Sequence, residues 1–297
     1  SEMCIRDSFY GVDMNKKITV VTAFFDIGRE NWTVEKGFPD YLFRTPDSYI
    51  NYFKYLALLN NEMIIFTSEK FKEKILEIRE NKPTHVVVVN YPEDFLKYRN
   101  RIEEIQNSNE FKSRVSPKQI INPEYWSPDY TLLTNLKSYF VKRAIESNLI
   151  TNNLVAWIDF GYCRDIQTLN GVQEWKYDFD EEKVHFFTLK KIPKLTKERV
   201  LKAIFENEVF IIGGVAIASK EKWLELQKII YSCQLELLNE NIVDDDQGIY
   251  LMALLKSRNL IQEHRLGKNQ WRTLFLRYDE TSKLNVIQKI RKYLGKF

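Results

Sequence analysis

The first half of the chain alternates between short apolar runs and segments whose apolar residues are spaced three or four positions apart. The first pattern is typical of buried strands and the second of amphipathic helices. Strands are predicted at residues 17–25, 62–67 and 84–90, and helices at residues 48–59, 69–80 and 92–107. Four consecutive valines in the third apolar run predict a strand that is buried on both faces. Three strand–helix units in a row predict a parallel, right-handed, nucleotide-binding type of half-domain.

The second half of the chain is less regular. A long helix is predicted at residues 130–148, and it leads into an apolar run at residues 154–158 that ends at Asp159. Further strands are predicted at residues 184–189 and 209–218, and a short strand or a turn at residues 260–264. Further helices are predicted at residues 196–207, 220–239, 247–258 and 284–294. Residues 1–13 are mixed and polar and Met14 is a natural start, so we treat 1–13 as an N-terminal appendage.

Composition and charge narrow the classes of function. A hydrophobic fraction of 44% and an aromatic fraction of 14% in 297 residues are enough to build a large core. The net charge of +3 is too weak to indicate sequence-independent binding of nucleic acid. Three scattered cysteines predict neither a disulfide framework nor a zinc site, and they favour a reducing compartment. No apolar run approaches the ~20 residues of a membrane span and no signal peptide is recognisable, so we expect a cytoplasmic protein.

Several motifs that would identify an enzyme class are missing from the sequence. It contains neither the GxGxxG nor the GxxxxGK[ST] fingerprint, and neither a GxSxG nor an HExxH motif. Three histidines are too few to predict a multi-histidine metal cage. Any function must therefore be inferred from side chains at the ends of the predicted elements.

Asp159 is the first of these candidates, because a buried strand has no structural need for a charge at its end. In open α/β sheets, ligands bind outside the carboxyl ends of the strands. A carboxylate there, followed by Gly161 on an open turn, could hold Mg²⁺ or Mn²⁺ against a diphosphate. Equally, Asp159 could cap the following turn or pair with Arg164.

Two further candidates lie in the second half. Gly213 and Gly214 interrupt an apolar strand, which indicates the close approach of a ligand or of another backbone, or else a β-bulge. Three aspartates at 244–246 precede Gln247 at the start of a predicted helix. One or two of these acids suit the N-cap and the dipole of that helix. The complete set could also orient sugar hydroxyls or act as a base.

The remaining candidates follow the first and the last predicted strands. Asp26 and Arg29 lie at the end of the first strand, where they could contact ribose or phosphate or simply form an ordinary turn. His264 is followed by Gly267 and Lys268, which could form a phosphate-contacting turn, although a single histidine is more often structural.

Seven segments of the sequence resemble the bacterial HtrL/YibB family. They include VVTAFFDIGRENW, VAWIDFGYCR, IIGGVAIASKEKW and DDDQGIYLMAL, in that order, and the resemblance extends from residue 17 to about residue 275. It implies a GT-A-like α/β fold, as in nucleotide-diphospho-sugar transferases, with a mixed, mostly parallel sheet flanked by helices. Residues 14–297 would then form one domain, with a nucleotide-binding half at 14–160 and an acceptor-side half at 161–297.

The resemblance also implies roles for particular residues. Asp159 takes the place of a DxD metal motif, although Gly161 replaces the second acid, and His264 resembles the metal-holding histidine of family 8 glycosyltransferases. Asp159 and His264 are thus the expected metal ligands. The expected catalytic residues are Asp245, Asp246 and Gln247. The expected contacts to the nucleotide-sugar are Thr22, Ala23, Phe24, Phe25, Asp26, Arg29, Lys137, Asp159, Gly161, Tyr162, Gly213, Gly214, Gly267 and Lys268.

The implied function is transfer of a sugar from a nucleotide-diphosphate donor to a lipopolysaccharide, lipooligosaccharide or capsule precursor, with Mn²⁺ or Mg²⁺ as cofactor. The pI near 8.5 is compatible with peripheral association with the inner face of the cytoplasmic membrane. One alternative is a catalytically inactive module, derived from the GT-A fold, that binds a sugar nucleotide or glycan. Another is a nucleotidyltransferase, for which the segment after the first strand lacks the usual glycine-rich basic loop.

Overall fold

A seven-stranded sheet lies at the centre of the protein, whose computed structural model describes residues 17–280. The strands are β1 (Ile18–Phe24), β2 (Met63–Thr67), β3 (Thr84–Val88), β4 (Leu154–Ile158), β5 (Val184–Thr188), β6 (Ile211–Ser219) and β7 (Ile261–Arg265). Their order across the sheet is β3-β2-β1-β4-β6-β5-β7. β6 is antiparallel to both of its neighbours, and every other neighbouring pair is parallel. The predicted mixed, mostly parallel sheet is confirmed.

Helices cover both faces of the sheet because successive side chains of a strand point in opposite directions. In β1, Val21 belongs to the core on one face and Val20 to the core on the other. The helices are α1 (Pro46–Leu56), α2 (Glu69–Ile78), α3 (Leu96–Asn107), α4 (Asn109–Arg114), α5 (Pro128–Asn135), α6 (Lys137–Glu146), α7 (Lys197–Phe205), α8 (Lys220–Asn239), α9 (Asp246–Lys256) and α10 (Leu274–Arg277). None of these helices has the length and apolarity needed to cross a bilayer.

The structure corrects two of the predicted elements. The long helix predicted at residues 130–148 is two helices, α5 and α6, which are separated at Leu136. The N–H of Leu136 donates to the carbonyls of both Leu132 and Leu133, so the last turn of α5 tightens. β3 is the edge strand of the sheet and not a strand buried on both faces, since only β2 pairs with it, and Val88 is 38% exposed.

The other strands and helices predicted between residues 17 and 258 are present with shifts of a few residues at their ends. The helix predicted at 92–107 begins only at Leu96, after a short 3₁₀ turn at Glu93–Phe95. The appendage at 1–13 and the helix at 284–294 lie outside the described residues. Because β4 pairs directly with β6, the two predicted halves of the chain share one sheet.

Candidate functional site

The carboxyl ends of β1 and β4 border a cavity of about 350 Å³. β6 runs in the opposite direction, so its N-terminal part, with Gly213 and Gly214, lies at the same edge of the sheet. α6 and the N-terminus of α9 close the cavity from one face. The volume falls within the range of small-molecule sites. The predicted residues that border it are Ala23, Phe24, Phe25, Asp26, Arg29, Lys137, Asp159, Gly161, Tyr162, Gly213, Gly214, Asp245, Asp246 and Gln247.

Lys137, the first residue of α6, links the elements around this cavity. Its ammonium forms an ion pair with Asp159 Oδ1 at 2.7 Å, forms another with Asp246 Oδ2, and donates a hydrogen bond to the Gly213 carbonyl at 3.0 Å. Burial by itself would lower the pKa of Lys137, but attraction to Asp159 and Asp246 outweighs burial and raises it. Lys137 is therefore a permanently charged connection between β4, β6 and α9.

Gly213 is required by the packing of α9 against β6. A Cβ atom at this position would lie 1.9 Å from Asp246 Oδ1, which is far inside van der Waals contact. The neighbouring Gly214 has more room, since its Cβ would lie 3.3 Å from Asp159 Oδ2. Both interpretations of this glycine pair are seen. The register between β5 and β6 shifts here, since Phe186 pairs with Ala216 but Thr188 pairs with Ile211. In addition, the Asp246 carboxylate approaches Gly213 closely.

Four acidic side chains gather beside Lys137, and we call Glu124, Asp244, Asp245 and Asp246 the acidic cluster. Each of the four side chains is at most 7% exposed, whereas acids that serve only to cap a helix can remain at the surface. Burial raises the pKa of all four. Repulsion from other members of the cluster raises the pKa of Glu124, Asp244 and Asp245 further, to about 7 for Glu124. For Asp246, attraction to Lys137 opposes the shift and repulsion from Asp159 adds to it. Glu124, Asp244 and Asp245 therefore hold their protons to a higher pH than surface carboxylates do, whereas Asp246 is the partner of the Lys137 ammonium.

One member of the acidic cluster also caps a helix, as the simpler interpretation predicted. Asp245 is the N-cap of α9, and its Oδ1 accepts a hydrogen bond from the Gln247 N–H at 2.9 Å. Asp245 and Asp246 nevertheless border the cavity, whereas Asp244 does not. A cap and a ligand contact are thus compatible for Asp245, because one carboxylate oxygen remains for the cavity side.

Asp159 extends from the end of β4 into the cavity with 40% of its side chain exposed. Its backbone N–H donates to the Gly214 carbonyl at 2.9 Å, and its Oδ1 accepts a hydrogen bond from Trp157 Nε1 at 2.8 Å. With Lys137 on the same oxygen, one side of this carboxylate is fully used by the protein. The Asp159 pairing is with Lys137, and not with Arg164 as the alternative prediction had it.

His264 lies outside the cavity, which corrects the prediction that it would share an ion with Asp159. It belongs to β7, where its Nε2 is 2.7 Å from Nδ1 of His185 and its ring stacks on Phe187. Burial, together with repulsion from His185, lowers the pKa of His264 to about 4, so the neutral form packs in this apolar environment. His264 is a structural residue of the sheet edge.

Three other predicted contacts also lie away from the cavity. Gly267 and Lys268 follow β7 and do not border the cavity; between β7 and residue 280, the residues that border it are Trp271 and Arg272. Thr22 is fully buried in β1 and does not border it either, since its neighbours Ala23 and Phe24 take that place. The residues after β7 that border the cavity therefore lie four residues later in the chain than Gly267 and Lys268, which were predicted to do so.

Asp26 and Arg29 do border the cavity but are occupied by the loop that follows β1. Asp26 Oδ1 accepts a hydrogen bond from the Gly28 N–H at 3.0 Å. The Arg29 guanidinium donates to the Leu42 carbonyl and, at 2.6 Å, to the Tyr49 hydroxyl. Both residues therefore shape the wall, as the ordinary-turn alternative predicted.

A divalent ion is the expected cofactor, and the donor groups fit it poorly. Within residues 17–280, no set of three or more His, Cys, Asp or Glu side chains is arranged to hold a metal ion. The Asp159 and Asp246 carboxylates both pair with the Lys137 ammonium, which lies between them. A divalent ion would have to compete with that ammonium for both acids. The metal requirement stays a prediction.

Three arginines that border the cavity, Arg44, Arg164 and Arg272, are not among the predicted contacts. Arg164 follows β4 by six residues, and Arg272 lies beyond β7. The sequence predicts Arg164 only as a pairing partner for Asp159, and it gives no role to Arg272. One feature of the sequence does point to them: Arg164 follows the segment with Asp159, and Arg272 follows the segment that begins at His264, both of which are predicted to contact a ligand.

The sheet and the cavity at the carboxyl ends of β1 and β4 define an α/β protein with a ligand-sized site at the sheet edge. The chain belongs to the HtrL_YibB family, described as a bacterial protein of unknown function, whose match covers residues 16–279. The family predicted from the sequence motifs is thus confirmed. The chain is 44% identical over 284 residues to Protein HtrL of Escherichia coli (strain K12), which covers 95% of this chain and 100% of that protein.

Two solved structures to which the chain is similar carry glycosyltransferase names. Mouse xyloside xylosyltransferase 1 in its apo form is 10% identical with a TM-score of 0.40, covering 84% of this chain and 85% of that one. The glycosyltransferase GlyE of Streptococcus pneumoniae TIGR4 is 12% identical with a TM-score of 0.38, covering 84% of this chain and 45% of that one.

Proposed function

We propose that the protein is a glycosyltransferase that moves a sugar from a nucleotide-diphosphate donor to a hydroxyl of a surface-glycan precursor. The observation that carries this proposal is the joining of Lys137, Asp159 and Asp246 at one cavity. Carboxylates that Lys137 holds in place at the carboxyl edge of an α/β sheet suit a ligand that presents hydroxyl groups, as the sugar of a donor does. The motif resemblance described above supports the same class of reaction.

The reaction breaks the bond between the anomeric carbon and a diphosphate oxygen, and it forms a bond from that carbon to the acceptor oxygen. The acceptor hydroxyl loses its proton, and the diphosphate leaves with the bonding electron pair. Asp245 and Asp246 border the cavity with raised pKa values, so in ionised form they are basic enough to accept a hydroxyl proton. In protonated form they can instead donate to sugar oxygens and position the donor.

The cavity also offers surfaces for the flat parts of such a donor. Tyr49, Tyr130, Trp157 and Trp271 all border it. Aromatic rings with a polar edge are suited to pack against a nucleobase or the apolar face of a sugar. A lipid-linked or other glycan acceptor, and work at the inner face of the cytoplasmic membrane, are part of the same proposal.

A second candidate is a binding module that holds a sugar nucleotide or glycan without transferring it. The observation that favours it is the Asp159 carboxylate, which Lys137 and Trp157 already engage and which has Gly161 in place of a second acid. The two candidates differ in whether bound donor is consumed.

The experiment first measures thermal shift with UDP, GDP and CMP, each with Mn²⁺ and with EDTA. A ligand that binds only the folded state raises the melting temperature by mass action. Hydrolysis and transfer of the matching nucleotide-sugars are then measured. Asp246→Asn should abolish turnover while the exposed control Asp94→Asn retains it. Binding without turnover of any donor supports the module. No stabilisation by any nucleotide contradicts the transferase and a module for sugar nucleotides, and it leaves only a glycan-binding module.

A further inference from the structure

Arg164 presents an unsatisfied positive charge to the cavity. Its Nε and Nη1 atoms are buried and have no hydrogen-bond partner within residues 17–280. The guanidinium carbon lies 4.0 Å from the ring centroid of Tyr52, so the side chain is held in place by stacking. A fixed guanidinium that loses water without gaining a partner is costly, and that cost is recovered when an anion binds.

Arg272 brings a second guanidinium to the same cavity. Burial lowers the pKa of Arg272, and repulsion from Arg164 lowers it further. Neither arginine takes part in a salt bridge among the described residues, although Asp165 lies near Arg272. The Asp165 Oδ1 accepts hydrogen bonds from the backbone N–H and hydroxyl of Thr168.

The charges around the cavity are therefore sorted into two regions. Lys137 is surrounded by Asp159, Asp246 and the Gly213 carbonyl, so its charge is neutralised within the protein. The two arginines have no such neutralising partner. Guanidinium groups match the oxygens of phosphate with paired, planar hydrogen bonds, and they stay charged at any physiological pH.

We propose that Arg164 and Arg272 bind the diphosphate of the donor and that this binding needs no divalent cation. The inference rests on the proposed function, because it assigns a part of the same donor. It also agrees with the poor fit of the carboxylates to a metal, since Asp159 is already engaged by Lys137. The two arginines would then stabilise the charge of the departing diphosphate.

The test measures binding of inorganic pyrophosphate and of UDP by calorimetry, in EDTA and again in Mn²⁺. Wild type should bind both in EDTA, and Mn²⁺ should change the affinity by less than about threefold. Arg164→Gln and Arg272→Gln should each weaken binding about tenfold or more, equivalent to about 1.4 kcal/mol. The affinity of Arg164→Lys should lie between those of wild type and Arg164→Gln, because lysine keeps the positive charge but lacks the planar set of guanidinium donors. The control is Arg258→Gln, an exposed arginine paired with Glu263.

The outcomes separate this inference from the proposed function. UDP binding that requires Mn²⁺, or that survives both arginine substitutions, overturns the inference and leaves the glycosyltransferase proposal standing. Pyrophosphate binding that depends on the arginines, without binding of any nucleotide, supports the anion site and contradicts the proposed donor. If Arg164→Gln does not fold, the exposed Arg272 still provides the test, since its removal leaves the stacking on Tyr52 in place.

Discussion

Lys137 is the residue on which the site is centred, because one ammonium satisfies two carboxylates and a strand carbonyl. The side chain is only 8% exposed, and Asp246 only 4%. Removing one member of such a buried pair leaves the other charge without a partner, which is more damaging than removing both. The residue thus serves stability and site geometry at once.

Replacing Lys137 by methionine should lower the free energy of unfolding by about 3–5 kcal/mol, since Asp246 would remain buried without its partner. The double variant Lys137→Met/Asp246→Asn should lose less than Lys137→Met alone. Urea denaturation at neutral pH measures both. Additive losses in the double variant would show that the two side chains are not energetically coupled.

The two adjacent glycines provide a matched comparison. Gly213→Ala places a methyl group 1.9 Å from the Asp246 carboxylate, so α9 has to move or the site has to open. We expect a loss of about 1–3 kcal/mol together with loss of ligand binding. Gly214→Ala, with 3.3 Å to Asp159, should cost clearly less. Equal effects of the two substitutions in denaturation and binding assays would contradict this assignment.

At the scale of elements, the N-terminus of α9 concentrates the acids that lie against α6. Glu124, from the turn before α5, completes the acidic cluster. Its pKa of about 7 in the folded protein lies above its ordinary value of 4.5. A raised carboxyl pKa stabilises the folded state below the unfolded value, and that contribution is lost as the pH rises from about 4.5 to 7.

Glu124→Gln should therefore stabilise the protein more at pH 8 than at pH 4.5, by on the order of 2 kcal/mol. Glutamine keeps the shape and removes the charge that burial penalises. The difference in unfolding free energy between variant and wild type, measured across this pH range, isolates the effect from the titration of other groups. The control Glu73→Gln, on the exposed side of α2, should show no such pH dependence.

His264 gives a second prediction at the scale of elements, since its neutral ring packs at the edge formed by β5 and β7. His185 Nε2 donates to the Asp180 carbonyl, so its Nδ1 is the acceptor for His264 Nε2. His264→Gln should therefore lower stability without altering UDP affinity, in Mn²⁺ or in EDTA. If His264→Gln changed the Mn²⁺ dependence of UDP binding, His264 would be a metal ligand, as predicted from the sequence.

Most elements could be predicted from the sequence because periodicity reports local burial directly. β4 and α8 were predicted to within a residue, since one is a continuous apolar run and the other a long amphipathic helix. The two wrong predictions, a continuous helix at residues 130–148 and a β3 buried on both faces, depended on contacts between distant parts of the chain. The break at Leu136 carries no glycine or proline. The exposure of β3 depends on its position at the sheet edge, which the valines themselves do not encode.

At the scale of the whole molecule, the site was predictable as far as strand ends could be recognised. Asp159, Gly213 and the acids before α9 follow from the rule that ligands bind at the carboxyl edge of a sheet. Arg164 and Arg272 are 108 positions apart, and only the folded chain brings them to one cavity. His264 was misplaced because the direction of its side chain from β7 is decided by packing against His185.

The antiparallel course of β6 has a consequence for how the protein can be divided. A polypeptide cut after residue 160 would keep Lys137 and Asp159 on the first piece and leave Asp246 on the second. The second fragment would carry Asp246 without Lys137, its ion-pair partner, and each fragment would expose an unpaired strand edge where β4 and β6 now pair. We therefore expect that neither fragment folds alone and that the two fragments, when co-expressed, associate to restore the folded protein.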